Sequence, residues 1–260
     1  DPVVGGDAKE KIALRRAIAM AFPRNETIAA IRRGQAVPVN YVIPEGVAGH
    51  NPAFKGSVKY DPAAANALLD RFGYKVGADG LRTLPDGKPL SIEMATGTSG
   101  IDKQWNEYWQ KAFDSLKIKL TFKYGKWNEL DKANRQGKLQ MWGVAWSADY
   151  TDGENFMQLL YGKNAAQDTA LASPLNTLRY HSRAFDTRFE QAIHEPDENV
   201  RSRLLAEAEN IAMNDVPAIP LYHDRSVLLT SPRVMNLRPN PLDLMDLGTV
   251  WFNHKQVPAQ

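Results

Sequence analysis

The feature that most constrains this 260-residue chain is the alternation of apolar strands and amphipathic helices between residues 90 and 146. Strand-like segments at 90–95, 118–124 and 139–146 are separated by helical patterns at about 102–115 and 128–135. Parallel neighbours in a sheet need a crossover of roughly a dozen residues, and a helix is what fills one. The spacing therefore predicts an α/β fold built on an open sheet. Ligands of such sheets collect beyond the carboxyl ends of the strands.

Around this unit the chain reads mainly as helices and loops. Ile12, Ala13, Ala17, Ile18 and Ala21 recur at helical spacing over 7–22, and Pro23 interrupts them. Asn25 is expected to cap a second short helix that ends at Gly34. Dense proline and glycine over 35–59 predict a loop laid over the rest of the fold. Tyr60-Asp61-Pro62 opens a helix, with Asp61 as acceptor and Pro62 at the first helical position, and Gly73 stops it. Two extended segments, 81–84 and 90–95, flank a turn at Pro85-Asp86-Gly87. Helices are expected at 153–161, 185–194 and 197–213, a loop at 162–180 and a strand at 221–230. Pro232, Pro239 and Pro241 then change the texture, as where a chain leaves one domain for another.

Composition narrows the partners. Lys plus Arg number 32 against 30 Asp plus Glu, which speaks against nucleic acid or anionic membrane. The absence of cysteine excludes disulfides, thiolate metal sites and a cysteine nucleophile. No run approaches the roughly 20 apolar residues of a membrane span, and the first residues lack the elements of a secretory signal. The expectation is a soluble chain that, if exported, is already processed or truncated.

The ligand is expected along 141–155. Met141, Trp142, Val144 and Trp146 lead into a loop carrying Asp149, Asp152, Glu154 and Asn155. A carboxylate on a cleft wall offers a cation a charge-assisted hydrogen bond, and an indole beside it supplies an apolar wall with one donor. The alternative for both aspartates is capping of the helix that follows. Trp142 reads as core. The acidic stretch does not fit a calcium loop, and His50, His181, His194, His223 and His254 lack metal-site spacing, so neither metal nor cofactor is expected. Arg135, Lys138 and Lys126 read as solvated cations. An enzymatic alternative makes Asp149 and Asp152 the acid and base of a glycosidase. Two carboxylates three residues apart on one loop are poorly placed to flank a scissile bond, and no GxSxG, P-loop or GxGxxG element is present.

Four segments, in order, resemble the family 5 extracellular solute-binding proteins, the peptide and nickel receptors of ABC importers. Residues 14–22 with Arg24 and Glu26 are similar to the family's opening helix, and 34–38 to its Gly-Gln-Ala-x-Pro loop. Tyr60-Asp61-Pro62 with Ala65, Ala67, Leu68, Leu69, Gly73 and Tyr74 resembles the YDPxKAxxLLxxAGY helix. Residues 145–152 resemble GWxADYPDP, with Phe156 at the family's spacing, and 216–222 resemble the PxIPLY strand. Thr151 and Gly153 replace the motif's prolines, and Ala145 its glycine.

The resemblance implies an α/β lobe II of a type II (class C) periplasmic binding protein, an open mixed sheet flanked by helices, over residues 1–223. Residues 224–260 would be a hinge crossover and return segment of lobe I, with a mobile C-terminal tail, and the N-terminal lobe I itself would be missing. It places Asp149 on a peptide's α-ammonium, with Trp146, Tyr150, Ala148 and Asp152 around the ligand. The implied partners are a small peptide ligand and the importer's permease subunits, in a periplasmic or extracellular, membrane-anchored setting. Oligosaccharide, opine and nickel-chelate cargoes stay open, and no covalent chemistry is required.

Overall fold

The computed structural model describes residues 1–54, 56, 58–168, 170–238 and 247–253. His254, Pro239, Pro241 and the tail beyond 253 lie outside them. Three strands form the main sheet: β2 (Ser91–Thr96), β3 (Lys119–Tyr124) and β4 (Met141–Trp142), in the order β3-β2-β4 and parallel throughout. Among the described residues, antiparallel pairing occurs in the isolated bridges Val76–Arg82 and Thr83–Pro89 and in two small ladders. In one, β1 (Ala36–Pro38) meets β5 (Tyr222–Asp224); in the other, β6 (Val234–Met235) meets β7 (Trp251–Phe252). The loop expected over 35–59 therefore contributes one short strand.

Helix α4 (Gly100–Ser115) crosses from β2 to β3, and α5 (Trp127–Arg135) returns from β3 past β2 to β4. Successive crossovers in opposite directions put the strand-order reversal at β2, the place where open α/β sheets leave a crevice. α4 starts at 100 rather than 102, because Ser99 and Asp102 form a reciprocal cap: the Asp102 N–H donates to Ser99 Oγ at 3.2 Å and the Ser99 N–H to Asp102 Oδ2 at 2.9 Å.

The first core lies on one face of this sheet. Ile92, Met94 and Leu120 pack against Trp109, Ala112 and Phe113 of α4 and against Leu14, Ala17 and Phe22, the last three from α1 (Lys9–Ala21) and its end. Phe22 stacks on Trp109 at 4.0 Å between ring centroids. α3 (Pro62–Arg71) closes the same core with Ala65 and Leu69, and Asp61 caps it as its spacing requires, accepting from the Ala64 N–H at 2.8 Å. α2 (Arg24–Arg32) differs from expectation: Asn25 lies inside it, Pro23 occupies the cap position without a side-chain bond, and Arg33 takes the left-handed turn at φ 49° before Gly34.

A second core is helical. α7 (Arg183–Ile193) and α8 (Glu198–Asp215) pack together, and Phe185, Phe189, Leu205 and Ala208 meet Phe156 and Met157 of the short α6 (Glu154–Met157). Ile43 and Val47 of the 39–54 loop complete it. That loop is pinned by a buried Glu209 on α8, whose Oε1 accepts the N–H groups of Val42 at 2.5 Å and Ile43 at 2.8 Å. Burial pushes the Glu209 carboxyl above its ordinary range, against the pull of those two donors.

Two strand expectations shrink. The run 139–146 pairs only at Met141 and Trp142, opposite Met94 and Ala95, because β2 itself ends at Thr96 and offers later residues no ladder. The run 221–230 pairs only at 222–224, the length of its partner β1. Trp142 consequently stands half-buried at the sheet's rim, beside an exposed Trp127, and is not core.

Candidate functional site

Where β4 stops, residues 143–147 run exposed across the carboxyl end of the sheet. The chain then turns through Ala148, Asp149 and Tyr150 and enters α6 in the second core. What fixes this turn is one buried side chain. Asn155 has no exposed surface, and its Oδ1 accepts from Trp146 Nε1 at 2.9 Å and from the Asp149 N–H at 3.3 Å. Its Nδ2 donates to Asp149 Oδ2 at 3.3 Å. A buried amide satisfied on both ends holds its partners in one arrangement.

The base of the loop is clamped separately. Asp152 Oδ2 accepts from Arg201 Nε, and Oδ1 from Arg201 Nη2, both at 2.9 Å, a bidentate fork. Oδ1 also takes the Glu154 N–H at 2.8 Å, capping α6, while Arg201 Nη1 reaches the Ala192 carbonyl at 2.8 Å. The bond to Asp152 raises the already high pKa of the Arg201 guanidinium. On the other side the Gly153 N–H donates to the Ala48 carbonyl at 2.8 Å; a Cβ at 153 would sit 2.7 Å from that oxygen, so the contact needs glycine.

The five anticipated residues therefore lie on one turn with different environments. Asp149 is exposed, and among the described residues its carboxylate has the single long bond from Asn155 and no cationic partner. Trp146 and Tyr150 are 40% and 41% exposed. Tyr150 bonds the Glu154 carboxylate through its hydroxyl; burial, then this bond, raises its pKa. Ala148 is half-buried and packs on the second core. Asp152 has both oxygens engaged by Arg201, so the turn does not present two free carboxylates. The capping alternative describes Asp152; Asp149 does not cap α6.

Sequence reasoning did not reach Arg201, 49 residues from Asp152 with no local signal. Asn155 stood in the candidate loop, yet its role follows only from burial. Arg135 is tied to Asp131 at 2.9 Å and to the Pro174 carbonyl at 3.0 Å, so it is not a free cation. His50 and His194 each use Nδ1 on a backbone carbonyl, at 2.9 and 2.7 Å. Among the described residues no group of three or more His, Asp or Glu is arranged to hold a metal ion.

Solved structures that resemble the chain over most of its length define the class of fold. The ABC transporter-associated periplasmic binding protein DppA from Helicobacter pylori, in complex with the peptide STSA, matches with TM-score 0.70 and 25% identity over 82% of this chain and 38% of its own. NikA from Brucella suis, in complex with Fe(III)-EDTA, matches with TM-score 0.75 and 21% identity over 96% and 49%. The fold is that of the type II periplasmic binding proteins. Residues 8–168 match the model of the bacterial extracellular solute-binding proteins, family 5 Middle, and the chain belongs to that family.

Among curated relatives, the di/tripeptide-binding protein 2 of Pseudomonas aeruginosa is 26% identical over 239 residues, 91% of this chain and 42% of the relative. The oligopeptide-binding protein OppA of Bacillus subtilis is 24% identical over 216 residues, 82% and 37%. The chain thus spans about two fifths of the curated relatives it matches. These relatives are solute-binding proteins rather than enzymes.

Proposed function

We propose that this chain is the ligand-gripping lobe of the solute-binding component of an ABC importer, and that its cargo is a di- or oligopeptide whose α-ammonium pairs with Asp149. The observation that carries this reading is a carboxylate exposed on a doubly clamped turn, at the carboxyl end of a parallel sheet, with no cationic partner among the described residues. Such a group gains a strong partner when an ammonium arrives and water leaves. Trp146, fixed by Asn155, walls the ligand; Tyr150 borders it, Ala148 sets the floor, and Asp152 holds the turn through Arg201. An oligosaccharide offers Asp149 no cation.

In this reading residues 1–223 form one lobe and 224–260 cross back toward an opposing lobe. The exposed Val227, Leu229, Trp251 and Phe252 are apolar surface of the kind a second body covers. Closure of the two lobes traps the peptide, the importer's permease recognises the closed form, and no bond is made or broken. The setting in this reading is exported, periplasmic or membrane-anchored; the periplasmic placement is the one named for the Helicobacter pylori protein.

One lobe supplies part of the contacts and leaves water in place, so trialanine should bind this chain with a dissociation constant on the order of 1 mM, about 4 kcal/mol. Calorimetry should show that N-acetylation of the peptide, or Asp149→Asn, weakens binding at least about tenfold. Equal binding of free and acetylated peptide would refute the assignment of Asp149.

A further inference from the structure

The turn that carries Asp149 is held from two directions, and both holds lead back to one helix. Arg201 on α8 grips Asp152 directly. Eight residues further along α8, about 12 Å at the helical rise, the fully buried Glu209 grips a different segment, the N–H groups of Val42 and Ile43. Only its Oε1 is engaged; among the described residues Oε2 is buried without a partner.

Ile43 carries that grip on to the turn. Its N–H is bound by Glu209, its side chain has no exposed surface, and a Cβ at 153 would stand 2.9 Å from its Cδ1. The Gly153 N–H donates to the Ala48 carbonyl, and Ala48 and Asp152 form a parallel bridge. Between Ile43 and Ala48 the chain is closed on itself by turns. The Val47 N–H donates to the Pro44 carbonyl at 3.3 Å, the His50 N–H to the Val47 carbonyl at 3.0 Å, and His50 Nδ1 meets the Ile43 carbonyl at 2.9 Å. Residues 43–50 thus form a short strap, tied to α8 at Ile43 and pressed against Gly153 by both Ile43 and Ala48. Pairing of buried donors alone would account for the bonds to Glu209. The geometry goes further, because a residue that Glu209 pins is the one that abuts Gly153.

Resting on the peptide reading above, we infer that Glu209 is a positioning residue for ligand binding. Through Ile43 and Ala48 it fixes the base of the turn, and hence the place of Asp149, without touching the ligand. α8 is then the frame that sets the turn at two points.

Trialanine titrations followed in proton–nitrogen correlation spectra test this, with urea unfolding as the control for overall stability. Glu209→Ala should weaken trialanine about fivefold. In the unliganded chain it should shift the Gly153 amide and Trp146 indole signals while those of β2 and β3 stay in place. Glu209→Gln keeps the one engaged oxygen and should restore both affinity and signals. Gly153→Ala breaks the contact between strap and turn from the other side, so the double variant should bind no worse than the weaker single one, where independent effects would add. Additive losses, undiminished affinity in folded Glu209→Ala, or a Glu209→Gln variant that rescues nothing would each overturn the inference. A measurement without substitutions guards against a variant that does not fold: the amides of Val42, Ile43 and Gly153 should exchange with deuterium within about threefold of one another, as one opening unit. A Gly153 amide more than about tenfold faster than the other two would equally overturn it. Absence of trialanine binding, or binding unchanged by Asp149→Asn, sinks the peptide reading instead, and the signals and exchange of the unliganded chain then still decide whether Glu209 sets the turn.

Discussion

β2 and β3 pair without a break from Ser91 and Lys119 to Thr96 and Tyr124, whereas β4 pairs over two residues and the segment after it, 143–157, has no ladder. The first region is held by backbone hydrogen bonds that are indifferent to side-chain identity and by a core that several helices share. The second takes its shape from Asn155, Asp152 and Arg201. Stability and shape are thus supported by different things: a substitution in the first region should lower the stability of the whole, and one in the second should loosen a loop.

The largest expected effect breaks the sheet side. Phe113→Ala empties a fully buried site in the first core and should cost about 4 kcal/mol in urea unfolding; a loss below about 2 kcal/mol would place the main support elsewhere. Arg201→Ala leaves Asp152 unpaired in a partly buried position and should cost about 2 kcal/mol. Its sharper signature is local: hydrogen exchange at 149–155 should accelerate more than in the β2–β3 ladder, and a uniform change would erase the distinction drawn here.

A smaller effect depends on pH. His223 on β5 and His50 flank Tyr41, at 5.3 and 5.1 Å, with Glu45 and the Val42 backbone also facing His223. Burial first, and His50 further, lower the His223 pKa below its usual 6.5, against the pull of Val42 and Glu45. The unfolded chain then takes up the proton more readily than the folded one. The His223 contribution is intact above 6.5 and is lost as the pH falls through that value toward the folded pKa. His223→Asn should therefore flatten the drop in thermal midpoint between about pH 7.5 and about pH 5.5; parallel curves for the two proteins would contradict it. The smallest expected effect is on the loop itself. Asp149→Asn should leave stability within about 0.5 kcal/mol, since the carboxylate is exposed and holds one long bond. A larger loss would mean that Asp149 belongs to the scaffold.

The parts legible in the sequence were those whose signals are local. Asp61-Pro62 specifies the start of α3 by itself, and the alternation from 90 to 142 specifies parallel strands with helical crossovers. The extent of β4 was not legible: Val144 and Trp146 look like strand, and only the end of β2 at Thr96 denies them a partner. The position of Asp149 and Trp146 on one exposed turn followed from the motif; the amide that joins them and the arginine that clamps the base required the fold. Glu209 did carry a signal, since it sits at helical spacing from Leu205 and Ala212 on the apolar face of α8. Its meaning, two backbone donors from a loop about 166 residues away, did not.

The fork between Arg201 and Asp152 sets the turn before any guest arrives. Little of the attraction between guest and turn is then spent on ordering the receptor, and exposed residues such as Trp127 and Val144 can be exchanged without disturbing the frame that carries Asp149. In the proposed reading, preference for one cargo over another can drift through surface substitutions while the anchoring point stays where it is.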